Sequence, residues 1–130
     1  MGAGDGATTL LVVDDEVDMR LLVRSVMALA GEDYVIVGEA ADGIDAIDQW
    51  RGLKGPPMPH VIILDNRMPN RTGLEVAAEI LDERPEQHIV LFSAFLDDRV
   101  RAQARDLGIS ACLTKEDVSE LPALIAKIQR

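Results

Sequence analysis

The stretch Val61-Ile62-Ile63-Leu64-Asp65-Asn66-Arg67-Met68-Pro69 decides the fold. Its apolar run is too short for a comfortable helix and stops abruptly on a carboxylate, so it reads as a buried strand with Asp65 at its C-terminal mouth. In an open α/β sheet that mouth is where ligands bind. A second run, Leu10 to Val13, ends in the same way on Asp14-Asp15, and two later runs end on Ser93 and Lys115. Four strand ends therefore present carboxylates, a hydroxyl and an ammonium.

Working outward, strand-like runs alternate with helical patterns along the whole chain, which predicts βαβ units and a parallel sheet. Strands are expected near 9–13, 34–39, 60–65, 88–93 and 110–114. Leu22, Val26 and Leu29 mark the core face of a first helix that Gly31 ends. A less regular second helix runs from Asp42 to about Leu53, with Trp50 as a packing residue. Thr72-x-x-Glu75 is a capping box opening a third helix with Leu74, Ala77, Ala78 and Leu81 on one face, stopped before Pro85. Val100, Ala104 and Leu107 repeat the spacing in a helix opened by Asp97 or Asp98 and closed by Gly108. Leu121, Ile125 and Ile128 do so in the last. Residues 1–7 read as a small, Gly-rich flexible tail and 8–130 as one domain, with a Pro-rich loop at Gly55 to Pro59.

At 130 residues and 48% apolar content the chain can bury one full core without staples. Its single cysteine excludes an internal disulfide, and Cys112, within the apolar stretch Ile109 to Leu113, reads as a packing residue rather than a reactive thiol. No stretch reaches the roughly 18 apolar residues of a membrane span, and the N-terminus lacks a signal pattern, so a cytoplasmic location without membrane contact is expected. A net charge of -10 opposes direct nucleic acid binding by this chain, which needs clustered Lys and Arg.

With its acidic pair Asp14-Asp15, an Asp65 followed by Met68-Pro69, a Ser93 and a Lys115, all in order, the chain resembles the receiver domain of two-component response regulators over roughly residues 8 to 129. The resemblance implies a flavodoxin-like (βα)5 fold, a doubly wound parallel sheet of order 2-1-3-4-5, which brings Asp14, Asp15 and Asp65 together. Clustered carboxylates need raised pKa values or a cation, and an oxygen-only site suits Mg²⁺. By resemblance, Asp15 and Asp65 bind the metal directly, Asp14 through water, and Arg67 through its backbone carbonyl. Asp65 is then the phosphoacceptor for a sensor histidine kinase, with Lys115 and Ser93 contacting the phosphoryl group. The chain is a signalling phosphoacceptor rather than a conventional enzyme on this reading. The structural alternative for each residue is a helix cap or a solvated charge, and it is the joint placement at four strand ends that speaks against it. His60 and His88 precede strands, away from this site, and read as surface residues.

Val37-Gly38-Glu39-Ala40 and Lys115-Glu116-Asp117 resemble the NarL/LuxR class, whose members usually carry a DNA-binding output domain; here such a domain would lie outside the chain. A phosphorylation-dependent homodimer is a further implied partner. Cys112 stands where receivers commonly have a switch aromatic, which leaves Phe95 either as an alternative reporter or as an exposed loop residue near the site mouth. Two competing classes fit less well. Gly2-Ala3-Gly4-Asp5-Gly6-Ala7 nominally matches a dinucleotide fingerprint but precedes the first strand instead of following it. A haloacid dehalogenase-type phosphatase would want a second Asp where Arg67 stands. A degenerate receiver, used only for protein interaction, would have lost an acidic, acceptor or Lys residue, and none is lost.

Overall fold

The computed structural model describes residues 6–31, 33–53 and 59–129. The expected tail at 1–7 and the Gly55 to Pro59 loop fall largely outside these. Strands β1 (Thr8–Val13), β2 (Tyr34–Ala40), β3 (Val61–Leu64), β4 (His88–Ser93) and β5 (Ala111–Thr114) alternate with helices α1 (Val17–Ala30), α2 (Gly43–Gly52), α3 (Gly73–Glu83), α4 (Asp98–Leu107) and α5 (Leu121–Ile128). All strand pairs are parallel, in the order β2-β1-β3-β4-β5. The predicted doubly wound architecture is therefore the observed one. A 3₁₀ segment, Lys115–Glu120, intervenes before α5.

The three inner strands carry apolar side chains on both faces, as a sheet covered by helices on each side demands. Leu11, Val13, Ile62, Leu64, Ile89 and Leu91 pack with α2, α3 and α4. Leu10, Val12, Val61, Ile63, Val90 and Phe92 pack with Val23 and Met27 of α1 and Leu121 and Ile125 of α5. Several helix ends match their sequence signals. Thr72 and Glu75 form a reciprocal capping box, Asp42 and Asp97 accept from the backbone N–H three residues on, and Gly108 closes α4 in the left-handed region.

The helix faces need correction. Leu22 and Leu29 are 41% and 89% exposed, whereas Val23 and Met27 are buried. The expected stripe is rotated by about one residue because α1 is apolar around much of its circumference and periodicity alone does not select the phase. On α3 the buried set is Gly73, Val76, Ala77, Ile80 and Leu81, with Ala78 exposed. On α4 only Ala104 is fully buried, and Leu107 is at the surface. Trp50 does pack in the core, donating Nε1–H to Gln87 Oε1 at 3.0 Å. His60 is partly buried rather than a free surface residue, because its Nδ1 accepts from the Thr9 N–H at 2.8 Å.

Candidate functional site

The strand order reverses between β1 and β3, and there the register partners Val13 and Leu64 are each followed by an aspartate. The Asp65 N–H donates to Val13 O (2.9 Å) and the Asp14 N–H to Ala40 O (3.0 Å), so both carboxylates leave the sheet from hydrogen-bonded positions. Both are buried. Asp15 beside them is exposed. One carboxylate oxygen from each of Asp14, Asp15 and Asp65 lies within 4.8 Å of the others. On the other side of β3, Ser93 ends β4 opposite Thr114, and the next residue, Lys115, reaches back across the strand ends. The sequence-predicted residues thus converge.

Lys115 Nζ sits 2.8 Å from Asp14 Oδ2, 3.2 Å from Asp65 Oδ2 and 3.2 Å from Glu16 Oε1. Asp14 Oδ1 accepts from the Glu16 N–H at 2.9 Å. Its Oδ2 faces the ammonium as an ion pair without a well-directed hydrogen bond. Burial pushes the Asp14 carboxyl above its ordinary value, reinforced by the Asp65 charge and only partly offset by Lys115 and the backbone bond. Burial alone lowers the Lys115 pKa, but its close pairing with Asp14, its hydrogen bond to Asp65 and the field of both carboxylates leave it raised. The asymmetry is physical: the one ammonium faces three carboxylates, whereas Asp14 faces one ammonium and several like charges.

Ser93 is 1% exposed and its Oγ has no hydrogen-bond partner among the described residues. A buried orphan hydroxyl costs free energy unless something arrives to use it. Asp15, Glu16, Asp65, Arg67, Ser93, Ala94, Phe95 and Lys115 line a recess of about 270 Å³. A larger recess, about 440 Å³, opens at the opposite end of the sheet beside His60, Arg84 and His88. Its buried polar residue, Gln87, is already bonded to Trp50 and to the carbonyls of Pro59, His60 and His88, leaving it no hydrogen bond to offer a ligand.

The three-carboxylate oxygen set fits a hard divalent cation. Two features were not foreseen in the sequence. Glu16 acts as a third carboxylate on Lys115 instead of capping α1, where it makes no side-chain cap. The Arg67 side chain stacks on Phe95, with its guanidinium carbon 4.1 Å from the ring centroid. Glu16 directly follows the acidic pair, which was the available signal; nothing local links residue 67 to residue 95. Cys112 is half-buried against the core, and burial pushes its thiol up, as a packing residue would show.

Residues 10–127 match the model of the response regulator receiver domain. The chain is 32% identical over 108 residues to Protein CcdB of Bacillus subtilis, covering 83% of this chain and 85% of that one. It is 35% identical over 123 residues to the transcriptional regulatory protein PdtaR of Mycobacterium tuberculosis, covering 93% of this chain and 57% of the relative, so it spans little more than half of that protein. Among solved structures, a LuxR-family DNA-binding response regulator from Staphylococcus aureus superimposes with a TM-score of 0.84 at 27% identity, covering 95% and 99% of the two chains.

Proposed function

The chain belongs to the response regulator receiver domain family of two-component signalling, and from that membership we propose that Asp65 is its phosphoacceptor, with Lys115 and Ser93 as the phosphoryl-contacting residues. The observation that carries this is the convergence of a buried carboxylate, a shared ammonium and an orphan hydroxyl on one recess. The Asp65 carboxylate oxygen attacks the phosphorus of a phosphohistidine on a sensor histidine kinase. The P–N bond breaks, its electron pair returns to the imidazole, and a P–O bond forms at Asp65. Lys115, already 3.2 Å from Asp65 Oδ2, offsets charge on the transferred oxygens, and the Ser93 hydroxyl turns its unused proton toward them.

Asp14, Asp15 and Asp65, with the Arg67 carbonyl, would hold Mg²⁺. When bound, that ion supplies positive charge against the carboxylates and the incoming phosphoryl oxygens. Within the reading, residues 8–130 form the receiver and 1–7 a tail. The only catalysis is the chain's own phosphorylation and dephosphorylation, the location is cytoplasmic, and the net charge of -10 keeps this chain itself off nucleic acid. A DNA-binding output domain outside the chain is supported by the LuxR-family neighbour, and a phosphorylation-dependent homodimer belongs to the same reading.

Acetyl phosphate with Mg²⁺ should add one phosphoryl group by intact mass, stable to acid and labile to base, and Asp65→Asn should abolish it. Labelling that persists in that variant would place the acceptor elsewhere.

A further inference from the structure

Arg67 is an exposed cation at the rim of an acidic recess, yet it makes no ion pair among the described residues. Its backbone is anchored beside the acceptor, with its N–H 3.4 Å from Asp65 Oδ1. Its guanidinium instead lies on the face of Phe95, a ring that is itself 61% exposed. Both residues line the site recess, and both also line a neighbouring recess of about 380 Å³ with Asn66, Leu96, Asp97 and Thr114. Of the cations that line the site, Lys115 is already committed to Asp14, Asp65 and Glu16, while among the described residues the Arg67 guanidinium is held by a ring alone.

Such an arrangement responds to added charge. Phosphorylation replaces the single charge of Asp65 by about two and adds three strong acceptor oxygens. A guanidinium is the group best shaped to take two of them at once. An exposed cation–π contact holds it by only a small margin. We propose that Arg67 is a reserve phosphoryl ligand stored on Phe95: when Asp65 is phosphorylated, the guanidinium leaves the ring for the phosphoryl oxygens and releases residues 94–97. The inference rests on Asp65 as the acceptor. It would supply a link between site and surface in a chain whose position 112 carries a thiol rather than a ring.

The test uses beryllofluoride with Mg²⁺ as the phosphoryl mimic, followed by ¹⁹F NMR for binding and by proton NMR for the stack. In the free protein, Arg67 side-chain protons should be shifted upfield by the Phe95 ring and show cross-peaks to it. Both signatures should vanish in the complex. Arg67→Ala should weaken beryllofluoride binding by about three- to fivefold, the range of an exposed charge pair. Phe95→Leu should strengthen it by about two- to fivefold, because no stack has to be broken first. A purely structural stack would move both variants in the same direction, and that result, or cross-peaks that persist in the complex, would overturn the proposal. Failure of the wild-type chain to bind beryllofluoride at all would instead remove the acceptor reading, and this inference with it.

Discussion

Replacing Asp14 by Asn should stabilise the metal-free protein at neutral pH, although it deletes one partner of a short ion pair. The Lys115 ammonium at 2.8 Å attracts the Asp14 carboxylate by about 6 kcal/mol at an effective dielectric of ~20. Against this, an Asp65 oxygen within 4.8 Å repels it by about 3.5 kcal/mol at the same dielectric, and exposed Asp15 adds a smaller, solvent-screened share. Repulsion offsets more than half of the attraction, so the desolvation of a carboxylate that is 2% exposed decides the sign. The raised pKa of Asp14 has the same origin. Asn keeps an acceptor for the Glu16 N–H, and Lys115 keeps Asp65 and Glu16. We expect a gain of about 1 kcal/mol, or a few degrees in Tm. Because the folded pKa lies above the unfolded value of 3.8, the penalty is complete above the folded pKa and absent below 3.8. The advantage of the variant should therefore be seen at pH 7 and fade as the pH falls toward that value. Saturating Mg²⁺ should stabilise the wild type more than the variant and narrow or reverse the order. Urea denaturation in EDTA and in Mg²⁺, at neutral and acid pH, measures all of this. A variant less stable than wild type at pH 7 in EDTA would show that the Lys115 pair outweighs burial and repulsion, and the reasoning would be refuted.

Lys115→Met leaves Asp14 and Asp65 buried without a cation and should cost about 3–5 kcal/mol in EDTA, partly recovered by Mg²⁺. In the wild type, wherever the carboxylates are ionised, the Lys115 contribution is complete below 10.5 and is lost only as pH rises through its elevated folded value, so a stability loss between neutral pH and 10.5 traceable to this residue would contradict the pairing. Gly73→Ala would bring a Cβ within 2.2 Å of Asp65 O and 2.8 Å of Asn66 Cα, backbone that cannot yield as a side chain does. It should cost about 3 kcal/mol and also weaken Mg²⁺ binding, although Gly73 supplies no ligand; unchanged metal affinity by titration would separate the helix start from the site. Gln87→Leu orphans the Trp50 N–H, removes the amide donor from the carbonyls of Pro59, His60 and His88, and should cost about 2 kcal/mol in denaturation, with Mg²⁺ affinity unaltered because it lies at the far end of the sheet.

Much of the site was legible because it is built at strand ends. A short apolar run ending on Asp65, and another ending on Asp14, specify positions on the sheet as soon as the strand order is known, and the observed order puts them side by side. Caps were legible for a related reason: Thr72 with Glu75, and Asp97 ahead of Val100, act within four residues of chain. The phase of α1 was not. Val17, Leu21, Leu22, Val23, Val26, Met27 and Leu29 offer more than one plausible stripe, and only the sheet chooses Val23 and Met27. The partners of long side chains were hidden too, since Glu16 meets Lys115 across 99 positions and Arg67 meets Phe95 across two different loops.

These failures differ in what they mean for the site. Rotating α1 by one residue leaves the Asp14 and Asp65 N–H groups where β1 and β3 put them, because they donate to Ala40 O and Val13 O of neighbouring strands; the contact from α1 is the Arg20 guanidinium on Asp14 O. The convergence of Asp14, Asp15 and Asp65 is therefore independent of that helix-phase error. The α3 start is different. The Gly73 N–H donates to Asn66 O at 2.9 Å and the Leu74 N–H to Asn66 Oδ1 at 3.0 Å, so the loop carrying Asp65, Asn66 and Arg67 is clamped onto the first turn of this helix. A carboxylate at a strand end is placed by the sheet, but the direction in which it and its neighbours point is set by what receives the loop. The asymmetry between Gly73 and the misphased Leu22 follows: the former touches the backbone of the acceptor residue, and the latter faces outward from the far side of α1.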